Sequence, residues 1–300
     1  MSAPIRYFNR KRQQWETEEV YGERGLRWIY GSIPGRWTLW LLVRRKFVSR
    51  FYGWLMNRVQ SRKKIRPFIE KYRIDTEEMV SSVDEYRTFN EFFYRRLKPS
   101  ARPLEGGEGD LVFPADGRHL WVRDLGQKQN LFAKGQVFDL PKLVGSEELA
   151  TIWAGGNAVI SRLCPVDYHR FHFPLDAKVH KTKEIDGYYY SVNPWALVKN
   201  LGYLWQNRRE LLILEHPVVG KVGFLAIGAT FVGGIHWSAQ IGQEVKKGEE
   251  AGYFSFGGSC IVTLWPRDHF FPAEDLKEIT LQGSEMLALM GTHMGKYRLE

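Results

Sequence analysis

Cysteine is nearly absent from this sequence: Cys164 and Cys260 are the only two among 300 residues. A disulfide framework is therefore not expected beyond one bridge between them, and a reducing compartment fits. Long hydrophobic runs are missing too. Stretches such as Trp37 to Val43 are far too short to span a bilayer, so the chain is not expected to be integral to a membrane. The first twenty residues carry Arg6, Arg10, Lys11 and Arg12 but no apolar stretch or small-residue cleavage site, so no secretory signal is expected. There is no βαβ alternation, no internal repeat and no low-complexity tract. Histidine is scarce, eight in all, which makes any local concentration of it informative.

What is present argues a folded protein with a sizeable core, since 44% of residues are hydrophobic and 14% aromatic. Positive charge is concentrated. Between Tyr21 and Arg73 fourteen Lys or Arg face only Glu23 and Glu70, a local balance of +12 against +9 for the whole chain, so the remainder is slightly acidic. Residues 1–25 read as a loosely held lead-in. In the following segment Val43, Phe47, Phe51, Trp54 and Leu55, with Arg58 and Arg62, suit helices with one apolar and one basic face. Such helices can lie in a bilayer interface, where each cation near an anionic surface contributes about 1 kcal/mol. Packing on the domain with a solvated basic face is the plainer alternative. No nucleic-acid-binding motif accompanies the patch, so no nucleic-acid partner is expected.

Residues 73–100 are expected to continue as helix until Pro99 and Pro103 end it. Beyond them the texture changes. Leu111 to Phe113, Leu120 to Val122, Ala158 to Ser161, Leu211 to Leu214, Val222 to Ile227 and Ile261 to Trp265 read as short strands punctuated by glycine and proline. The fold class expected is α+β: amphipathic helices in a basic region 1–104, then a β-rich domain 105–300, barrel-like or sandwich-like.

Three local patterns carry chemistry. In Phe256-Gly257-Gly258-Ser259-Cys260 a flexible backbone delivers one hydroxyl from between two apolar segments; the bland reading is a β-bulge with an inert serine. Asp116 lies in Pro114-Ala115-Asp116-Gly117, where Asp-Gly is first of all a turn signal. Asp167-Tyr168-His169-Arg170-Phe171-His172 places two histidines between prolines. They face opposite sides in a strand and the same side in a helical turn. A serine hydroxyl needs a base oriented by a third group, and Asp116, one of the two histidines and Ser259 supply that set. Attack of Ser259 on the carbonyl of Gly258 would turn the peptide bond into an ester. Elimination across the serine Cα–Cβ bond and hydrolysis would then leave a pyruvoyl group at a new N-terminus.

The order of motifs resembles the phosphatidylserine decarboxylases. It runs through Asn90-Glu91-Phe92-Phe93-Tyr94-Arg95-Arg96-Leu97-Lys98-Pro99, Pro114 to Gly117, Lys134-Gly135 with Leu140, Leu143 and Gly145, Asp167 to His172, Ser191-Val192-Asn193-Pro194, Gly228 to Gly233 and the Gly-Gly-Ser step. The resemblance implies a self-processing proenzyme in which His172 is the base, Asp116 orients it and Ser259 attacks. His169 is then the proton handler of decarboxylation. Cleavage between Gly258 and Ser259 would give a large chain 1–258 and a small chain 259–300 headed by a covalent pyruvoyl group, with no pyridoxal phosphate and no metal. The family's usual Leu-Gly-Ser-Thr stands here as Gly257-Gly258-Ser259-Cys260, which bears on cleavage rate and local packing. Implied partners are phosphatidylserine and an anionic membrane surface, with a homodimer left open. The implied location is peripheral, on the cytoplasmic face of a bacterial cell membrane. Two alternatives from other classes are a Zn-dependent hydrolase using Asp167, His169 and His172, and a non-catalytic biotinyl- or lipoyl-like barrel built on Gln243 to Gly252.

Overall fold

The computed structural model of the chain describes residues 5–18, 25, 28, 31–38, 46–126, 128–129, 136–229 and 234–298. Lys134-Gly135, Thr230 to Gly233 and the Val43 end of the amphipathic pattern lie outside them.

Apolar runs six to nine residues long build the centre of a ten-stranded sheet. Its order is β13 (Glu244–Val245), β9 (Ala177–Ile185), β10 (Arg209–His216), β11 (Gly220–Gly228), β15 (Ser259–Trp265), β7 (Asn157–Leu163), β4 (Gly117–Val122), β17 (Glu285–Ala288), β1 (Arg6–Asn9) and β2 (Gln14–Thr17). Neighbours are antiparallel except for the parallel pair β1 and β17. Five of the six segments expected as strands lie in this sheet, and the sixth, Leu111 to Phe113, overlaps a strand outside it that ends at Val112.

Both faces of the sheet are covered, so its central strands are apolar throughout, with the period of two deciding which core each residue enters. Phe224, Ala226, Ile261 and Trp265 point into one core. It is closed by two three-stranded sheets, β12 (Ile235–Trp237) with β14 (Glu250–Phe254) and β8 (Arg170–His172), and β16 (Phe271–Pro272) with β18 (His293–Lys296) and β3 (Asp110–Val112). Leu225, Ile227, Cys260, Val262 and Leu264 point the other way, against Leu143, Trp153, Leu197 and Leu204 of the covering helices. A third cluster joins Met56, Ile65, Phe68, Phe89, Phe92 and Phe93 to Phe256, so the N-terminal helices sit on the loop before Ser259.

Three expectations are corrected. The sheet is open, not a closed barrel: β13 has two residues and β2 is a short, mostly exposed strand, and the two stand at opposite ends of the order. The expected loose lead-in is ordered over residues 5–18: β1 and β2 pair through Tyr7↔Glu16 and Phe8↔Trp15, and Glu18 enters a buried ionic cluster with Arg162, Glu285 and Arg118. Residues 73–100 are mostly turns, with α-helix only over Phe89–Phe93. Aspartate side chains cap turns there in place of helix, as where Glu77 N donates to Asp75 Oδ1 at 2.9 Å. Of the amphipathic N-terminal segment, helices stand at Ile33–Thr38, Lys46–Met56 and Ile65–Tyr72.

Candidate active site

Ser259 opens β15, directly opposite Gly228 of β11 and Leu163 of β7. It is fully buried, and its Oγ has no hydrogen-bond partner. A buried hydroxyl left unpaired costs about 1–3 kcal/mol, so its position needs a reason other than stability.

The loop before it is held from outside. The Asn90 side chain accepts from Phe256 N at 2.8 Å and donates to Asn57 Oδ1 at 2.8 Å. The Phe256 ring packs against Phe93, Phe89 and Tyr52 at centroid distances of 4.9, 5.3 and 5.6 Å. Asn90 is presented by the short helix Phe89–Phe93, whose N-cap Thr88 accepts from Glu91 N. Gly257 holds φ 145°, outside the range of ordinary L-residues, whereas Gly258 is not in a positive-φ conformation. A Cβ on Gly258 would meet only Ala229 Cβ at 3.7 Å and Val192 Cγ2 at 4.0 Å. The backbone freedom of glycine is thus spent at 257.

His172 lies in the strand β8 (Arg170–His172) and His169 immediately precedes it, so the two do not come from a helical turn. β8 pairs with β14, which runs into the loop, and Phe254 N donates to His169 O at 3.0 Å. The His169 ring is fully buried and packs against Phe93, tilted, at a centroid distance of 3.9 Å. Its Nδ1 stands 2.9 Å from the Asp167 carbonyl, which can only accept. Nδ1 therefore carries the proton, leaving Nε2 a bare acceptor with no partner. Burial pushes the pKa of His169 down to about 3. His172 is tied through its own N to Pro114 O at 2.7 Å, and its ring stacks on Tyr168. Its Nδ1 is also buried without a partner, and burial brings its pKa to about 4.

Asp116 is placed by Gly117, where a Cβ would meet Arg162 O at 2.6 Å and hold β4 away from β7. Its carboxylate is gripped by Arg102, at 2.9 and 3.1 Å to Nε and 2.6 Å to Nη2, and Oδ1 accepts from Met290 N at 2.9 Å. Burial raises the Asp116 pKa, with the Arg102 guanidinium at 2.6 Å and Met290 N pulling against it. Among the described residues Asp116 is thus bonded to Arg102 and not to His172, and neither histidine is hydrogen-bonded to Ser259 Oγ. What the fold does assemble is three buried, unpartnered atoms on connected segments: Ser259 Oγ, His169 Nε2 and His172 Nδ1.

The groups of the two alternative readings are committed elsewhere. The Asp167 carboxylate bonds Arg118 at 2.7 and 2.9 Å and accepts from Cys164 N. No group of three or more potential metal-ligating side chains converges among the described residues. In the β13–β14 connection Lys246 pairs with Asp176, and Lys247 Nζ donates to Gly107 O and Asp110 O, so neither lysine is free at a tip. Sequence reasoning missed Arg102 and gave Asn90 no role. Nothing periodic marks Arg102, but an asparagine among Phe89, Phe92 and Phe93 was a signal, because a polar side chain on an apolar helix must have a partner.

Comparison with known proteins gives the chain a class, the carboxy-lyases. The family model described as phosphatidylserine decarboxylase matches residues 89–288. Over 291 residues, 97% of each chain, the sequence is 39% identical to a phosphatidylserine decarboxylase proenzyme of Fusobacterium nucleatum and 41% identical to one of Ruminiclostridium cellulolyticum. Against one of Chlamydia pneumoniae it is 36% identical over 98% of each chain. The chain belongs to the phosphatidylserine decarboxylase family.

Proposed function

We propose that this chain decarboxylates phosphatidylserine to phosphatidylethanolamine after cutting itself between Gly258 and Ser259. The observation that carries the reading is the buried, unpartnered hydroxyl of Ser259 next to a loop held by Asn90 and Gly257. Oγ bonds to the Gly258 carbonyl carbon as the amide C–N bond breaks, its proton passes to His172, and the freed amine is protonated. Loss of the Ser259 Cα proton expels Gly258 as a carboxylate; addition of water and departure of ammonia convert residue 259 to a pyruvoyl ketone. Asp116 acts on His172 from within the same charge cluster, through Arg102, which lies within electrostatic reach of both.

The site fits such a group. It is no larger than the serine it replaces, and no hydrogen bond of Oγ is lost when the hydroxyl disappears. When formed, the pyruvoyl ketone supplies an electron sink for a substrate amine that loses carbon dioxide. The protein contributes a dry site and His169, whose Nε2 takes a proton and returns it to the substrate carbon.

The chain acts at an anionic membrane surface, on the bacterial cytoplasmic face in this reading. The reading is supported by exposed Trp28, Trp37, Phe51 and Trp54, and by Arg58 over the Trp54 ring at 4.3 Å. No helix among the described residues is long and apolar enough to cross a membrane.

Intact mass tests the central step. The 35.0 kDa chain is expected to appear as two, the smaller of about 5 kDa with a blocked N-terminus. Ser259→Ala remains uncut and inactive; His172→Ala remains uncut; His169→Ala is cut but does not decarboxylate. A single 35.0 kDa chain in a fully active preparation would sink the reading.

A further inference from the structure

Arg95, two residues beyond Phe93, is almost wholly buried at 5% exposure, yet its Nε and Nη1 have no hydrogen-bond partner. An unpaired buried guanidinium is among the costliest arrangements a fold can keep. Its nearest acids do not relieve it. Asp116 is already gripped by Arg102 and by Met290 N, and Asp167 by Arg118 and Cys164 N. What Arg95 does have is an aromatic bed, its guanidinium lying 5.2 Å from the Phe92 ring centroid, and proximity to the site. His169 feels its charge, and Phe93 on the same turn contacts both the His169 ring and Phe256 of the cleavage loop. Tyr94, the next residue back, lines a cavity of about 400 Å³ together with Trp54, Asn90, His236 and Ser255 of that same loop.

We propose that Arg95 receives the phosphodiester of the substrate headgroup, Nε and Nη1 donating to its non-bridging oxygens. This rests on the decarboxylase reading above and names the recognition element of that site. Two anions are available on such a substrate, and the chemistry selects between them. A guanidinium clamped on the carboxylate would stabilise the ground state and lose its partner as carbon dioxide leaves, which opposes the reaction. The phosphodiester keeps its charge throughout, so pairing it with a planar fork holds the reacting carbon in place at no cost to the barrier.

The test uses calorimetric binding to the processed protein with three probes. Glycerophosphoserine carries both anions, glycerophosphoethanolamine the phosphodiester only, and O-methylserine the carboxylate only. Arg95→Lys keeps the charge and removes the fork; it is expected to weaken the two phosphodiesters about tenfold and leave O-methylserine unchanged. Equal weakening of all three, or of O-methylserine alone, overturns the proposal, as does no change in any. If Arg95→Lys fails to fold, the unaltered protein decides. Inorganic phosphate must then displace glycerophosphoethanolamine and spare O-methylserine; displacement of both or of neither is fatal. Intact mass of the same samples separates the two readings: an uncut chain that still shows the Arg95 pattern removes the pyruvoyl reading alone, and a cut chain without the pattern removes Arg95 alone.

Discussion

Gly257 and Gly258 precede Ser259 with the same side chain and different duties. At φ 145° the backbone of Gly257 is open to glycine and costly to other residues, by about 1–3 kcal/mol. Gly258 is in no such conformation and has ordinary van der Waals room for a Cβ. Gly257→Ala is therefore expected to slow self-cleavage by about tenfold or more, following from that strain at roughly 1.4 kcal/mol per factor of ten. Gly258→Ala should leave the fold and its thermal midpoint nearly unchanged. Cleavage half-times by denaturing electrophoresis compare the two, and equal slowing would show that the strain at 257 plays no part in aiming the carbonyl. The sequence displayed both glycines without saying which one mattered, because φ is imposed here by distant partners: Asn90 on Phe256 N and the aromatic cluster around the Phe256 ring. The same limit hid the relation of Asp116 to its neighbours. Its turn was legible in Pro-Ala-Asp-Gly, but the arginine that grips it lies fourteen residues upstream in a segment with no pattern.

At the scale of elements, the five expected strands of the main sheet were legible because each is an apolar run whose two faces both meet a core. β1 and β2 were not. They are four residues each, polar or mixed, and owe their order to long-range pairing with β17 and to the buried Arg162–Glu18 contact. This changes how the membrane reading has to be tested. Removing residues 1–72 would take away two strands and a buried carboxylate along with the helices. The helix Lys46–Met56 offers a cleaner target: Phe51 and Trp54 are exposed and stacked at 5.7 Å, while Met56 faces the core. Burying two such side chains in an interface contributes about 1.5–3 kcal/mol each. Phe51→Ser with Trp54→Ser is accordingly expected to weaken binding to phosphatidylglycerol vesicles by more than about tenfold while cleavage proceeds normally. Co-sedimentation of the double variant equal to that of the parent would refute the interface role of this helix.

The molecule as a whole is interleaved across the proposed cleavage point between Gly258 and Ser259. Of residues 259–300, β15 lies between β11 and β7, β17 lies between β4 and β1, and β18 pairs with β3. Glu285 bonds Arg162, which also bonds Glu18, so one buried guanidinium ties both ends of the sequence to the middle. Cleavage there would therefore leave the architecture in place. The weak point of that architecture is protonation. His119, His169 and His172 are buried, and burial lowers their pKa values from 6.5 to about 3, 3 and 4. Above pH 6.5 they are neutral in the folded and unfolded chain alike. As pH falls below 6.5 the unfolded chain takes up protons that the folded one refuses, so the unfolded state binds more protons and stability must fall with pH. Each histidine costs about 2 kcal/mol between pH 7 and pH 5, and the loss continues towards the folded values near 3 to 4. Glu18 adds nothing in that interval: burial works to raise its pKa, but Arg162 and Arg118 hold it at about 2. The thermal midpoint of the uncut Ser259→Ala protein should therefore drop steeply between pH 7 and 5. His119→Asn, which removes a histidine bonded to Ser161 Oγ and the Ala288 carbonyl rather than one of the proposed reacting groups, should flatten the slope by at most about one third, since burial also lowers the pKa values of His216 and His236. A midpoint constant from pH 7 to 5 would mean that these rings gain protons in the folded state as readily as in the unfolded one.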